Sequence, residues 1–128
     1  MRKVILVMLL TAMSNCVVAE LVNVGSNENT SIYVDTDSIK KTGSMAKMSH
    51  LTDFRTANKD MGEYYRSTRD LNEYDCKGAK WRRRAFSEHS KNMGAGKVVY
   101  KDSFTARWRP VPPESGVEIL WKFACTKR

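Results

Sequence analysis

The amino-acid sequence predicts an α+β fold: one small domain in which an antiparallel sheet of about six strands carries a single C-terminal helix, tethered to it by a disulfide. Three observations predict it. From residue 21 to 109 the chain is made of short segments that alternate apolar and polar residues, separated by turn residues, as half-buried strands do. Beyond Pro110, Pro112 and Pro113 the spacing changes, and Val117, Leu120, Trp121 and Ala124 recur at i, i+3, i+4 and i+7, the stripe of a helix lying on a core. Cys76 closes a predicted strand and Cys125 falls near the end of that helix.

The first residues read as an export signal. Arg2 and Lys3 precede an apolar run from Val4 to Leu10, far short of the roughly 20 residues that span a bilayer. Two processing routes stay open. Val17-Val18-Ala19 offers signal peptidase small residues before Glu20, giving a leader at 1–19 and a domain at 20–128. The lipoprotein route would cut before Cys16, where Met13 and Asn15 fit its pattern poorly. The expectation is therefore an exported protein, in the periplasm, on the outer surface or secreted, with lipid anchoring at Cys16 as the other route. No later segment is apolar for long enough to span a membrane. Roughly 110 residues remain after the leader, enough for one modest core. The chain has 22 Lys and Arg against 14 Asp and Glu, a net charge of +8 that falls to about +6 without Arg2 and Lys3, and such a surface attracts acidic partners.

The elements follow in order. Leu21 to Val24 is a first strand, ended by Gly25-Ser26-Asn27. Ser31 to Asp35 is a second, with Ile32 and Val34 on one face and Tyr33 on the other. Asp35 to Gly43 reads as a turn or one helical turn. Met45 to Phe54 is a third strand whose face Ala46, Met48, His50, Thr52 and Phe54 suits burial. Residues 64 to 76 form a long polar strand. Lys80 to Ser87 and Lys97 to Lys101 are two more, with an MGAG turn near the second. Phe104 to Arg109 continues that pairing, until the prolines, which cannot donate to a ladder, stop it. Ser115 and Glu118 then form a capping-box pattern at the helix start.

Three cysteines are an odd number for an oxidising compartment. Either processing route removes Cys16 from the account, which leaves Cys76 and Cys125 to form one disulfide. A metal or redox pair fits less well: there is no CxxC, and the only other soft ligands are His50 and His89. No cofactor or metal is expected.

Several motifs carry a functional and a structural reading. The segment GAGK at 94–97 lacks the first Gly and the Ser or Thr of a phosphate loop, having Lys91 and Val98 there instead, and reads as a hairpin turn. Glu88-His89-Ser90 holds the residue types of a hydrolytic triad, but neighbours in an extended segment point to opposite faces. His50 could act as ligand or base, or as a hydrogen-bonded rim histidine. The densest polar feature is arginine: Arg82, Arg83 and Arg84 on one strand, Arg107 and Arg109 alternating on a later one. If the two strands adjoin, Arg83 or the Arg82/Arg84 pair joins Arg107 and Arg109 in a basic face interleaved with Trp81 and Trp108, able to grip sulfated glycans, phosphates or acidic proteins. Otherwise these arginines cover a solvent face.

With these pieces in place, the pattern resembles the bacterial surface-adhesin protein E family. The resemblance is carried by IYVDTDSI (32–39), HLTDF (50–54), Ser67 leading into EYDC, MGAGKVV (93–99) and WRPVPPESGVEILWKFAC (108–125), in family order from about residue 21 to 125. It departs from the family where Met48 and His50 stand in the third strand in place of an aromatic residue. It implies a small antiparallel sheet with a disulfide-tethered C-terminal helix, an envelope or surface location, and a homodimer. Together with the basic charge and the lack of a catalytic constellation, it points to an exported, non-enzymatic binding protein. Its ligand would be an extracellular-matrix protein or a polyanion held by the basic face. The alternative is an accessory envelope protein that binds a partner from the same cell.

Overall fold

The structure, a computed structural model, describes residues 20–126. The leader, with Cys16 and both processing signals, lies outside the described residues, as do Lys127 and Arg128. Among the described residues eight strands form one sheet: β1 (Leu21–Ser26), β2 (Thr30–Asp35), β3 (Lys40–Thr42), β4 (Met45–Asp60), β5 (Glu63–Asp75), β6 (Lys80–His89), β7 (Val98–Asp102) and β8 (Arg109–Pro110). Every pairing is antiparallel, and the main order is β1-β2-β4-β5-β6-β7. The short β3 shares the outer edge of β4 with β2, and β8 shares the outer edge of β6 with β7.

Turn chemistry sets these changes of partner. Between β2 and β3, a 3-10 turn at Thr36–Ser38 is capped by Asp35, whose carboxylate accepts from the Asp37 amide at 3.2 Å. Ser38 locks the turn to the sheet by donating to the Asp35 carbonyl at 2.6 Å and accepting from the Ser49 amide at 2.8 Å. The strand β3 that follows is an addition to the expected order. So is the segment of β4 past Phe54, which resumes pairing with β5 after an irregularity between Asp53 and Asn58. Phe104 to Arg109, expected as a strand, is irregular up to Trp108, and its backbone meets β6 through the Ala106 amide and β8. Pro110, expected to end pairing, lies inside β8 opposite Lys80, and a proline is tolerated there because the strand is at the sheet edge.

One face of the sheet carries α1 (Gly116–Thr126). Ser115 caps the helix by accepting from the Glu118 amide at 3.1 Å, while the Glu118 carboxylate turns to Lys122 at 3.3 Å. Leu120 and Ala124 of the expected stripe are buried against Val34, Ala46, Met48 and Tyr74. Trp121 packs at the edge of this core and donates its indole N–H to the Asp75 carbonyl at 3.0 Å. Cys76 and Cys125, 49 residues apart, form the disulfide. The Lys41 ammonium donates to the Cys125 carbonyl at 2.7 Å and meets the negative end of the helix. Among the described residues no helix is long and apolar enough to cross a membrane.

The opposite face has its own cover. The connection between β6 and β7, with a 3-10 turn at Asn92–Gly94, folds back over β4 and β5. Buried Ser67 donates to the Lys91 carbonyl at 2.6 Å and accepts from the Gly94 amide at 2.9 Å. Asp53 accepts from the Met93 amide at 2.8 Å and the Asn92 side chain at 3.0 Å. Leu51, fully buried, lies against Gly94 beneath this loop. The hairpin turn expected from MGAG is therefore also a lid on the sheet.

Candidate functional site

The site grows from a bulge in β6. Leu71 of β5 stands opposite Ala85, but the next residue, Asn72, stands opposite Arg83, so Arg84 is an extra residue in β6. Side chains on either side of the bulge therefore change parity. Trp81 and Arg83 point to the helix side with Tyr74 and Asn72, and so does Phe86, opposite Asp70. Arg82 and Arg84 share the other face with Glu73.

The two faces treat arginine differently. On the helix-free face, Arg82 grips Glu73 with its Nε and Nη2, both at 2.6 Å, and its guanidinium lies 4.4 Å from the Trp108 ring. Arg84 adds a contact to the same Glu73 oxygen at 3.4 Å. Burial works to raise the Glu73 pKa, but hydrogen bonds and charge from Arg82 and Arg84 outweigh it and hold the carboxyl below its ordinary value.

On the helix side the arginines open a cleft. The irregular segment after β7 runs beside β6, with the Ala106 amide bonded to the Arg83 carbonyl at 2.8 Å and Arg109 opposite Trp81. Between them lies a cleft of about 140 Å³ lined by Asp70, Trp81, Arg82, Arg83, Ala106, Arg107 and Arg109. Arg83 rests over the Phe86 ring at 4.5 Å and reaches Asp70 at 3.8 Å, a charge contact longer than a hydrogen bond. Among the described residues Arg107 and Arg109 have no carboxylate partner. Of the residues expected to form one basic face, the cleft joins Arg83, Arg107, Arg109 and Trp81, while Arg84 and Trp108 belong with the Glu73 cluster and Arg82 borders both.

Asp70 was not singled out from the sequence. Burial raises its pKa to about 6, against the opposing pull of Arg83. Its register partner His50, 4.0 Å away and buried, is pushed down to about 4 by desolvation, so at neutral pH a neutral imidazole faces an ionised carboxylate. The strand pattern contained the signal: Asp70, Asn72 and Tyr74 alternate on the side that His50 and Met48 occupy across the ladder.

Other expected chemistry is placed differently. Ser87, not Ser90, meets His89, with Oγ and Nε2 2.8 Å apart on the helix-free face, and desolvation followed by the charge of Arg69 lowers the His89 pKa. Glu88 faces the other way, with Thr68. The amides of the GAGK turn are directed inward: Gly94 binds Ser67 and Lys97 binds the Ser90 hydroxyl. Among the described residues no group of three or more His, Cys, Asp or Glu is gathered to hold a metal ion.

The family model for "Surface-adhesin protein E" matches residues 21–126. The chain belongs to the surface-adhesin protein E family. No curated protein matches it. Solved structures of Haemophilus influenzae protein E share the fold. Crystal form II aligns with a TM-score of 0.67 at 15% identity over 82% of this chain and 86% of that one. Protein E from non-typeable Haemophilus influenzae aligns with a TM-score of 0.64 at 14% identity, over 87% of this chain and 78% of that one. Membership of the surface-adhesin protein E family makes this an adhesin-type protein of the exported or surface class, and its antiparallel sheet with one C-terminal helix has the fold of the protein E structures.

Proposed function

We propose that this adhesin-family chain is a non-enzymatic binding module that attaches to polyanionic ligands of the host extracellular matrix through the cleft of Arg83, Arg107 and Arg109. One observation carries the reading: guanidinium groups from two separate segments converge on one concavity beside Trp81, and two of them are left without a carboxylate partner among the described residues. Planar, permanently charged donors suit sulfate and carboxylate groups, and an indole offers a face for a sugar ring. Arg82, at the rim of the cleft, and Arg84 are committed to Glu73.

Binding to a heparin-derived sulfated oligosaccharide and to immobilised matrix proteins tests it, measured at low and at physiological salt. The expected result is salt-sensitive binding that falls about tenfold or more in an Arg107→Ala/Arg109→Ala variant, as loss of two charge-assisted contacts implies. Binding indifferent to both salt and substitution overturns it. Export through a leader at residues 1–19, with lipid anchoring at Cys16 as the alternative route, and assembly as a homodimer belong to the same proposal. The intact mass of the native product reads the first two, and light scattering reads the third.

A further inference from the structure

The cleft has a feature that a simple anion trap would lack: a carboxylate on its wall. Asp70 lines the same concavity as Arg83, Arg107 and Arg109, its side chain is only 15% exposed, and its contacts to the Arg83 guanidinium at 3.8 Å and the neutral His50 ring at 4.0 Å are both longer than hydrogen bonds. We propose that Asp70 is a proton-operated gate on this cleft, repelling a bound sulfate and occupying Arg83 when ionised, and releasing Arg83 to the sulfate when protonated.

The proposal rests on the cleft being the anion site, and it adds which ligands the cleft selects and when. An ionised carboxylate in a poorly hydrated wall opposes an incoming anion and competes for the guanidinium beside it. Protonation removes the repulsion and frees Arg83, which stays positioned over Phe86 at 4.5 Å. Ligands that keep their charge in mild acid, such as sulfate esters, gain from this. Weakly acidic ligands that protonate in the same range gain less.

The groups around Asp70 leave it as the titrating member of the cleft. From β4 comes His50, kept neutral down to about pH 4 by its burial. From β6 come Arg83 and, at the rim, Arg82, with Phe86 directly opposite Asp70, and from the segment after β7 come Arg107 and Arg109, all four permanently charged. Glu88, raised to about 7, lies on the same face of β6 opposite Thr68 but outside the cleft lining, which is why Glu88→Gln is the control. Along β5 itself lie Thr68, Asn72 and Tyr74, and the Tyr74 phenol stays neutral because its pKa is raised by burial. The charged residues of α1, Glu118 and Lys122, pair with each other. Asp70, raised to about 6, crosses its titration between neutral and mildly acidic conditions.

The test measures affinity for a fully sulfated heparin hexasaccharide, at fixed ionic strength, at pH 7.5 and pH 5. If binding requires the protonated carboxyl, affinity rises about thirtyfold between the two, following the protonated fraction of a group that titrates near 6. Asp70→Asn is expected to bind more tightly than the parent at pH 7.5 and to lose the pH slope. Asp70→Ser serves as a second variant, and each is checked by thermal unfolding. Glu88→Gln, which alters a buried carboxyl outside the cleft, is expected to keep the slope. A parent protein with flat affinity, or an Asp70 variant with the parent's slope, overturns the gate. Arg107→Ala/Arg109→Ala separates the two ideas: weakened binding without any pH slope removes the gate and leaves the anion site, whereas undiminished binding at pH 5 removes both.

Discussion

The indole N–H of Trp121 donates to the Asp75 carbonyl at 3.0 Å, one residue before Cys76, whose sulfur is bonded to Cys125 one helical turn beyond Trp121. The helix thus meets the end of β5 through a hydrogen bond and a covalent bond side by side. Closing a loop of about 50 residues contributes about 4 kcal/mol in the chain-entropy account, while one such hydrogen bond contributes about 1 kcal/mol. A Cys76→Ala/Cys125→Ala variant is expected to lose most of the larger figure, and Trp121→Phe about 1–2 kcal/mol including lost packing. Urea unfolding followed by far-UV circular dichroism reads both. Equal losses would show that the disulfide does not dominate the tether.

The lid over the second face should depend on two small residues. Gly94 has φ +74°, and an added Cβ would lie 3.0 Å from Leu51 Cδ1 and 3.2 Å from Arg69 Nη2. Gly94→Ala is expected to cost about 1–3 kcal/mol from backbone strain and crowding. Ser67→Ala leaves the Gly94 amide without its acceptor and should cost about 1–3 kcal/mol. Amide exchange of residues 91–95 would quicken in both variants, and unchanged protection would count against the lid.

Much of this architecture was legible in the chain. Alternation in residues 45–54, the Ser115 cap, the 117–124 stripe and the Cys76–Cys125 pair all report local or covalent rules that act the same way in any context. What stayed hidden depends on partners distant in sequence. Leu51 reads as the wrong parity for burial until the 91–95 loop covers it. The run WRRRAF reads as simple alternation until Trp81 and Phe86, of opposite parity, are both required on the helix side. That conflict was visible in the letters and marks the bulge. The cleft was half legible: arginine density announced a basic surface, but which arginines are neutralised depends on Glu73, and the alternation that places Asp70 on the helix side does not say that a cleft forms over it.

The division of the arginines predicts a division of effects. Arg82→Ala strips the shortest contacts from Glu73, which is only 8% exposed, and should cost about 1–2 kcal/mol after allowing for Arg82's own solvent contact. Arg107→Ala and Arg109→Ala touch no such partner and should stay within about 0.5 kcal/mol. Thermal unfolding separates the two classes. A destabilised Arg107 or Arg109 variant would return those residues to a structural role.

Glu88 should set the pH dependence of stability near neutrality. The carboxyl is 1% exposed, and burial, followed by the interaction with the neighbouring Asp60 carboxyl, raises its pKa to about 7. A raised carboxyl favours the folded state when protonated, so that contribution is whole below the ordinary carboxylate range and is lost as pH rises through 7. The parent Tm should therefore fall between pH 6 and pH 8, a window above the Asp70 titration. Glu88→Gln should flatten that fall and gain about 4 °C or more at pH 8, the shift expected from roughly 1 kcal/mol. A Gln variant with the parent's profile would assign the slope elsewhere.

The single extra residue at Arg84 has a consequence for how such a surface can vary. In an uninterrupted strand, three like side chains in a row are bound to one rhythm, and changing the face of one changes the face of all. Alternation sends Arg82 and Arg83 to opposite faces, and the bulge resets the rhythm beyond them so that Phe86 returns to the side of Arg83; the arginine that stabilises the sheet and the arginine offered to a ligand thus stand next to each other in the chain yet answer to separate pressures. Substitutions that retune what the cleft recognises can accumulate at Arg83 while Arg82 keeps the fold unchanged.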